Sequence, residues 1–266
     1  MKIILIFLSA SIFLFSAAWP DYDPSKMPEG LIDSILSAGQ RQADILNDMV
    51  FDATLTQKKL DGDGELKEIK EYKKRIYARK YDDGWRVYEE FLEYIKDGEV
   101  QSAEVLAEEA EKKRQEKEKR GNRDLTFELT EPFKMLYTGL YNLRWRGVSD
   151  EKIGGYECYI IDIEAREESD SLINATYFVD TATYHIVRAD FQPAKLAKGL
   201  MFKMKEFDMS MHYEPYDDDI WLPRRFHITG KGKAALFINV SFEIEELYTD
   251  PVINSGLDDS MFDKSD

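Results

Sequence analysis

The sequence predicts an α+β fold in which a long antiparallel β-sheet packs against an amphipathic helix. Two patterns support this prediction. Apolar residues recur at three- and four-residue spacings in residues 29–49, which is typical of a helix with one buried face. From residue 125 to residue 248, apolar and polar residues alternate in short segments separated by turn residues, which indicates strands joined by hairpins.

The first eighteen residues have the composition of a cleavable signal peptide. Lys2 precedes an apolar segment at 3–15, and the small residues Ser16 and Ala18 fit a cleavage site after Ala18. The apolar segment is shorter than the roughly 20 residues that a membrane-spanning helix needs. The residue after the predicted cut is Trp19 and not cysteine, so no lipid anchor is expected. The sequence therefore predicts export and a soluble periplasmic location.

The remaining chain is expected to hold one domain. We predict a leader at 19–28, a single domain at 29–249 and an acidic flexible tail at 250–266. No long apolar stretch follows the signal peptide, so no integral membrane segment is expected after cleavage. The formal net charge of −16 argues against nucleic acid as a partner, because such a surface repels the phosphate backbone.

Three strands are predicted after the first helix, and a charged helix follows them. The strands are placed at 51–60, 65–81 and 85–95. Asp61 and Asp63 lie between the first two, but the ends of a calcium loop would be Lys59 and Lys70, so a hairpin turn is favoured. Residues 99–120 are rich in Ala, Glu, Lys and Arg with i,i+4 charge pairs, which predicts a solvated helical insertion. Its alternative role is a lid or a docking arm.

The last three predicted strands share one apolar face, which we call the apolar wall. It is the predicted ligand-binding face, and its members are Phe207, Met209, Met211 and Tyr213, then Leu222, Phe226 and Ile228, then Ile238, Val240 and Phe242. A turn between Asp217 and Asp218 would pair Tyr213 with Leu222 and Met209 with Phe226, because opposed residues share a face. A second turn centred on Gly232 would pair Phe226 with Ile238. The wall either forms a core under the first helix or borders a cavity for an apolar ligand.

The sequence predicts neither catalytic residues nor a cofactor or metal site. The motifs of hydrolases, zinc proteases, phosphate loops and dinucleotide-binding folds are missing. The single cysteine, Cys158, lies in an apolar segment without basic neighbours, which indicates a buried and unreactive thiol. Asp208 is predicted to face His227 across two strands, and no nucleophile accompanies them.

Several segments together resemble the periplasmic lipoprotein-carrier superfamily, which includes LolA, LolB, RseB, LppX-like and outer membrane lipoprotein-sorting proteins. The resemblance covers the helix that runs into residues 48–54, the stretch at 177–188 and the segment at 220–223 before the final hairpin. It implies a strongly curved antiparallel half-barrel with the N-terminal helix and the charged inserted helix on or near its concave side. It also implies a hydrophobic cavity for lipid or acyl chains.

Two functions follow as hypotheses. The first is a non-enzymatic carrier or chaperone whose partner is an apolar ligand, such as lipid or lipoprotein acyl chains. The alternative is an RseB-like envelope module whose partner is a protein, bound through the acidic surface or the charged helix. A cavity of several hundred Å³ between helix and sheet would favour the carrier, and a filled interior would favour the protein-binding module.

Overall fold

The computed structural model describes residues 26–120, 133–134, 136, 139–169, 171–199, 202–234 and 238–262. The predicted signal peptide and most of the predicted leader lie outside these residues. The described helices and strands, in chain order, are α1 (Leu31–Ile45), β1 (Asp48–Leu60), β2 (Leu66–Tyr81), β3 (Gly84–Lys96), β4 (Glu99–Val100), α2 (Ala103–Arg120), β5 (Tyr141–Val148), β6 (Cys158–Ala165), β7 (Ile173–Asp180), β8 (Ile186–Pro193), β9 (Phe202–Pro215), β10 (Trp221–Ala234) and β11 (Ile238–Ile253). A short 3₁₀ helix follows at Asp259–Met261.

The described strands form one antiparallel sheet in the order β4-β3-β2-β1-β11-β10-β9-β8-β7-β6-β5. β1 pairs with β11, so the beginning and the end of the domain meet in the middle of the sheet. The sheet is curved and does not close, and β3–β4 and β5 form its two edges. Both helices lie on the concave side, which confirms the predicted α+β half-barrel.

Helix α1 covers one half of the concave side through its apolar stripe. Leu31, Ile35 and Ala38 are spaced by four and three residues and are buried against the sheet. The helix was predicted to reach residue 49 but ends at Ile45, because Leu46 takes an extended conformation that starts the approach to β1. The main hydrophobic core lies under α1 and extends over β5–β9.

Helix α2 lies over the other half of the concave side. Its half-buried residues Leu106, Glu109, Ala110 and Lys113 recur at helical spacing, and the rest of its described face is exposed. Beneath it is a smaller cluster of Leu55, Tyr72 and Tyr94, against which Phe91, Leu106 and Ile244 pack. The predicted charged helix therefore exists, but one narrow stripe of it contacts the sheet.

The first of the two predicted hairpin registers is wrong near its turn. Leu222 opposes Glu214, and Tyr213 opposes Pro223. A bulge between Pro223 and Arg225 then shifts the register, so that Phe226 faces Met211. Beyond the bulge Met209 faces Ile228, whereas the predicted register placed Met209 opposite Phe226. Because the register is shifted by two residues, Met209, Phe226 and Ile228 still share one face.

The second predicted turn is also misplaced. β10 continues through Gly232 to Ala234, so Gly232 lies inside a strand and not at a turn. Phe226 consequently faces Glu246 and not Ile238, whereas Gly230 faces Phe242. Gly232 is required by a close approach: a Cβ atom there would lie 2.7 Å from the carbonyl oxygen of Lys203.

The C-terminal segment is held against the start of β1. β11 continues to Ile253, so the tail boundary predicted at residue 250 lies inside a strand. The carboxylate of Asp48 accepts hydrogen bonds from the backbone and hydroxyl of Ser255 at 2.7 and 2.8 Å. It also accepts bonds from the backbone N–H groups of Gly256 and Leu257. These bonds fix residues 255–257 to the sheet.

Candidate ligand-binding face

The apolar wall divides into a buried part and a half-buried part. Met211, Tyr213 and Leu222 are buried and belong to the main hydrophobic core, and Met209 and Phe226 pack against that core. The other described members are half-buried and belong to neither hydrophobic cluster: Phe207, Ile228, Val240 and Phe242. Ile238 pairs with Ala234, and its side chain lies outside the described part of the structure. Because of the bulge at Arg224, Leu222 does not share the face of Tyr213.

We call the set Phe207, Ile228, Val240 and Phe242 the open patch. Its geometry depends on Gly230, which opposes both Phe207 on β9 and Phe242 on β11. The ring of Phe242 lies over Gly230 where a side chain would otherwise stand, and it contacts the ring of Phe207 edge-on at 6.3 Å between centroids. The glycine thereby lets two aromatic rings from non-adjacent strands meet.

Charged residues lie on the same concave side, between the two hydrophobic clusters. Lys74 on β2 has a side chain that is only 4 % exposed, and its Nζ lies 2.6 Å from Glu89 Oε1 and 2.7 Å from Glu246 Oε1. Burial disfavours the charged lysine, but the nearby Glu246 and Glu89 carboxylates outweigh burial and raise the pKa of Lys74 above its ordinary value. Tyr248 donates its hydroxyl to Glu246 at 3.0 Å.

Polar contacts hold α2 over its half of the face. The hydroxyl of Tyr72 donates to Glu109 at 3.1 Å, and Lys113 donates to the side chain of Gln57 at 3.1 Å. Nζ of Lys113 also lies 4.9 Å from the centroid of the Tyr72 ring. Burial lowers the pKa of Lys113, whereas burial and the charge of Glu109 raise the pKa of Tyr72. Among the side chains of α2 that the structure describes, only Leu106 adds apolar packing to the cluster beneath the helix.

Two open clefts lie away from the open patch. One, of about 670 Å³, is lined mainly by polar residues including Arg144, Asp162, Asp190 and His227. The other, of about 460 Å³, lies between α1 and two turns and includes Arg41 and His185. Neither is the apolar cavity between helix and sheet that the sequence left open.

The predicted Asp208–His227 hydrogen bond is wrong. The bulge-shifted register places His227 opposite Ser210, and its Nε2 lies 3.4 Å from Glu243 Oε1. Asp208 instead accepts a bond from Gln192. Cys158 is fully buried, and burial raises the pKa of its thiol to about 11, in agreement with the prediction of an unreactive side chain.

The described ranges contain no cluster of three or more His, Cys, Asp or Glu side chains arranged to hold a metal ion. Within those same ranges, no helix combines the length and the apolar composition needed to cross a bilayer.

The sequence matches no family model and no curated protein. Among solved structures, the chain is similar to a domain described as an outer membrane lipoprotein-sorting protein from Vibrio parahaemolyticus, with 12% identity over 88% of this chain and 96% of that one, at a TM-score of 0.49. It is similar to a DUF1329 family protein from Desulfovibrio piger, with 14% identity over 89% of this chain and 97% of that one, at a TM-score of 0.46. A LolA superfamily protein from Nitrosomonas europaea aligns at 13% identity over 86% of this chain and 96% of that one, at a TM-score of 0.32.

Proposed function

We propose that this protein is a non-enzymatic carrier or chaperone of the cell envelope that binds an acyl chain of a lipid or lipoprotein on the open patch. One observation carries the proposal: Phe207, Ile228, Val240 and Phe242 lie half-buried on the concave side of the sheet and belong to neither of its hydrophobic clusters. Half-buried aromatic and aliphatic side chains on a concave surface suit an apolar ligand.

The expected affinity follows from the area that the patch offers. Burying an acyl chain contributes about 0.8 kcal/mol per methylene group, so six methylenes would contribute about 5 kcal/mol before the cost of ordering the chain. The residues of the open patch are half-buried, so they offer only part of their surface to the ligand and would shield only part of a long acyl chain from water. The proposal therefore predicts weak binding, with a dissociation constant of about 0.2 mM or higher, which suits a carrier that must release its ligand.

The predicted export supports the same proposal. The signal peptide predicted at 1–18, with Trp19 and not cysteine after the predicted cut, favours a soluble periplasmic protein. A soluble protein with an acyl-binding surface is suited to movement across the aqueous space between two membranes.

A second function, a protein-binding module of the envelope, is favoured by a different observation. The interior under α1 is filled by the main core, including the wall residues Met211 and Tyr213, so the ligand surface is confined to the open patch. In this alternative the output of the domain is a contact with a partner protein through its acidic surface or through the exposed side of α2.

The test is displacement of a fluorescent fatty-acid probe from the purified mature protein, together with native mass spectrometry for co-purified lipid. Val240→Asp places a charge in the open patch and should abolish probe uptake. Val252→Asp is the matched control, because Val252 lies on the same strand, is 50% exposed and pairs with Val50 far from the patch. Circular dichroism must show that both variants are folded.

The carrier proposal fails if the wild-type protein takes up no probe and carries no lipid. It also fails if Val240→Asp and Val252→Asp reduce uptake equally. Capture of a specific envelope protein without any lipid binding would support the protein-binding module instead.

A further inference from the structure

One edge of the sheet is long and open. β3 pairs with β2 on one side, but on its other side β4 covers only Ile95 and Lys96. The rest of that side of β3 has no neighbouring strand among the described residues. Two large apolar side chains stand on this segment, Tyr88 at 38% and Leu92 at 49% exposure. An exposed edge of this length is a template for pairing with another strand.

We propose that this edge is a self-association surface, on which a second copy of the chain adds its own β3 in antiparallel orientation about a two-fold axis at Tyr88. In that register Arg86 faces Glu90 of the second copy, and Glu90 faces Arg86 of the second copy. Tyr88 faces its own equivalent, and Trp85 faces Phe91 of the second copy. The two-fold axis closes the assembly at a dimer.

The sequence of β3 favours this register over its neighbours. Moving the two-fold axis by one residue along β3 shifts the register of the two strands by two residues, so the apolar side chains stay on the same face. The alternatives to the axis at Tyr88 are therefore axes at the neighbouring residues. An axis at Val87 places Arg86 opposite Tyr88 and leaves its charge unmatched. An axis at Glu89 or at Glu90 places that carboxylate opposite itself, which is destabilising. Of these four axes, only the one at Tyr88 places Arg86 and Glu90 opposite each other and also sets aromatic residues opposite aromatic residues.

Contacts within the chain already orient the side chains that the dimer needs. Tyr77 donates its hydroxyl to Glu90 at 2.9 Å, and the rings of Tyr77 and Tyr88 lie 6.0 Å apart. The guanidinium of Arg86 lies 4.1 Å from the centroid of the Tyr81 ring. These side chains form an aromatic surface beside the edge, and pairing would continue it into the second copy. Ordering them in advance lowers the entropic cost of association.

Between Trp85 and Phe91, the imperfect pair in this register is already compensated. Glu89 would face Val87 of the second copy, where an unpaired charge would be unfavourable. Its carboxylate, however, is bound to the buried Lys74 of its own chain at 2.6 Å. Between Trp85 and Phe91 the dimer therefore gains two ion pairs without leaving a new charge uncompensated. The inference does not depend on the acyl ligand.

The experiment is sedimentation velocity of the mature wild-type protein over a concentration series of about 1 to 100 µM, the range in which a modest interface dissociates. We expect a monomer–dimer equilibrium. Glu90→Arg places like charges opposite each other twice and should raise the dissociation constant about tenfold or more. The double variant Arg86→Glu with Glu90→Arg restores opposite charges at both positions and should recover the wild-type constant.

Glu214→Arg, a charge reversal at an exposed position of β9, is the control and should leave the dimer unchanged. Circular dichroism confirms the fold of each variant. A wild-type protein that remains monomeric throughout the series overturns the proposal. So does a dimer that Glu90→Arg does not weaken, or a double variant that dissociates as readily as Glu90→Arg.

Discussion

The buried lysine of β2 allows a sharp test of the electrostatics of the concave face. Lys74→Met keeps the length and apolar stem of the side chain but removes its charge. The two carboxylates that it contacts, Glu89 and Glu246, have side chains that are 27% and 12% exposed. Removing one partner of a buried ion pair costs about 3–5 kcal/mol, because the remaining charge is left desolvated. Because Glu89 is closer to solvent and can turn toward it, we expect the free energy of unfolding to fall by about 3 kcal/mol, the lower end of this range.

The neighbouring Lys73 provides a matched control. It is the adjacent lysine of the same strand, but it faces the opposite side and pairs with Glu93, with side chains 50% and 33% exposed. Exposed pairs contribute about 0–1 kcal/mol. Urea denaturation followed by circular dichroism should therefore show a much smaller loss for Lys73→Met than for Lys74→Met.

The pH dependence adds a second check on the same variant. The pKa of Lys74 is raised in the folded protein, so its contribution is fully present below its unfolded pKa, about 10.4, and is lost only as pH rises through the higher folded pKa. The wild-type contribution is then constant between pH 5 and pH 9. The difference in stability between the wild-type protein and Lys74→Met should accordingly fall only as pH rises above about 10.4. Equal losses in Lys73→Met and Lys74→Met at pH 7 would refute the reasoning.

Three further predictions concern other parts of the sheet. Gly230→Ala should destabilise the protein by about 1–3 kcal/mol in thermal denaturation, because its Cβ would displace the ring of Phe242; an unchanged melting temperature would contradict this. Burial lowers the pKa of His185, so its contribution to stability is fully present above its unfolded pKa of about 6.5 and is lost as pH falls from there through the lower folded pKa. His185→Phe should accordingly flatten the fall in stability between pH 7 and pH 5, and an unaltered slope would argue against it. Asp48→Ala should cost about 1–3 kcal/mol and make residues 255–257 sensitive to proteases, because backbone and hydroxyl donors lose their acceptor; a protease-resistant C-terminal segment would count against that assignment.

Side-chain alternation in the sequence was enough to predict the antiparallel sheet, but not its local irregularities. The strands predicted at 51–60, 65–81 and 85–95 differ from β1, β2 and β3 by at most three residues at either end. The bulge at Arg224 has no signature in the alternation, because Trp221, Leu222 and Pro223 are all buried. Gly232 was predicted as a turn residue, yet in the structure it lies in a strand that closely approaches the backbone of its neighbour. A lone glycine in the sequence is compatible with a turn and with such a close approach.

The charged part of the concave face was missed for a related reason. Lys74 alternates with Tyr72 and Ile76 on the inner side of β2, and this spacing was the available signal. A lysine at such a position is ordinarily taken to mean that this face of the strand is partly exposed to solvent, so the spacing alone does not predict a buried charge. Its two partners come from β3 and β11, and pairing over such sequence distances is set by the sheet order, which the local pattern does not contain. The placement of Leu106 and Glu109 over Tyr72 depends on the same long-range order.

The two halves of the concave side differ in how firmly they resist opening. α1 is fastened by buried apolar side chains that belong to the main core, whereas α2 is fastened by one leucine and a few polar bonds to Tyr72 and Gln57. Amide hydrogen exchange should therefore proceed in two stages. The amides of α2 should exchange through a low-energy opening that high salt promotes by screening, and those of α1 only when the whole domain unfolds. The half under α1 would then stay folded while α2 opens and closes over the other half.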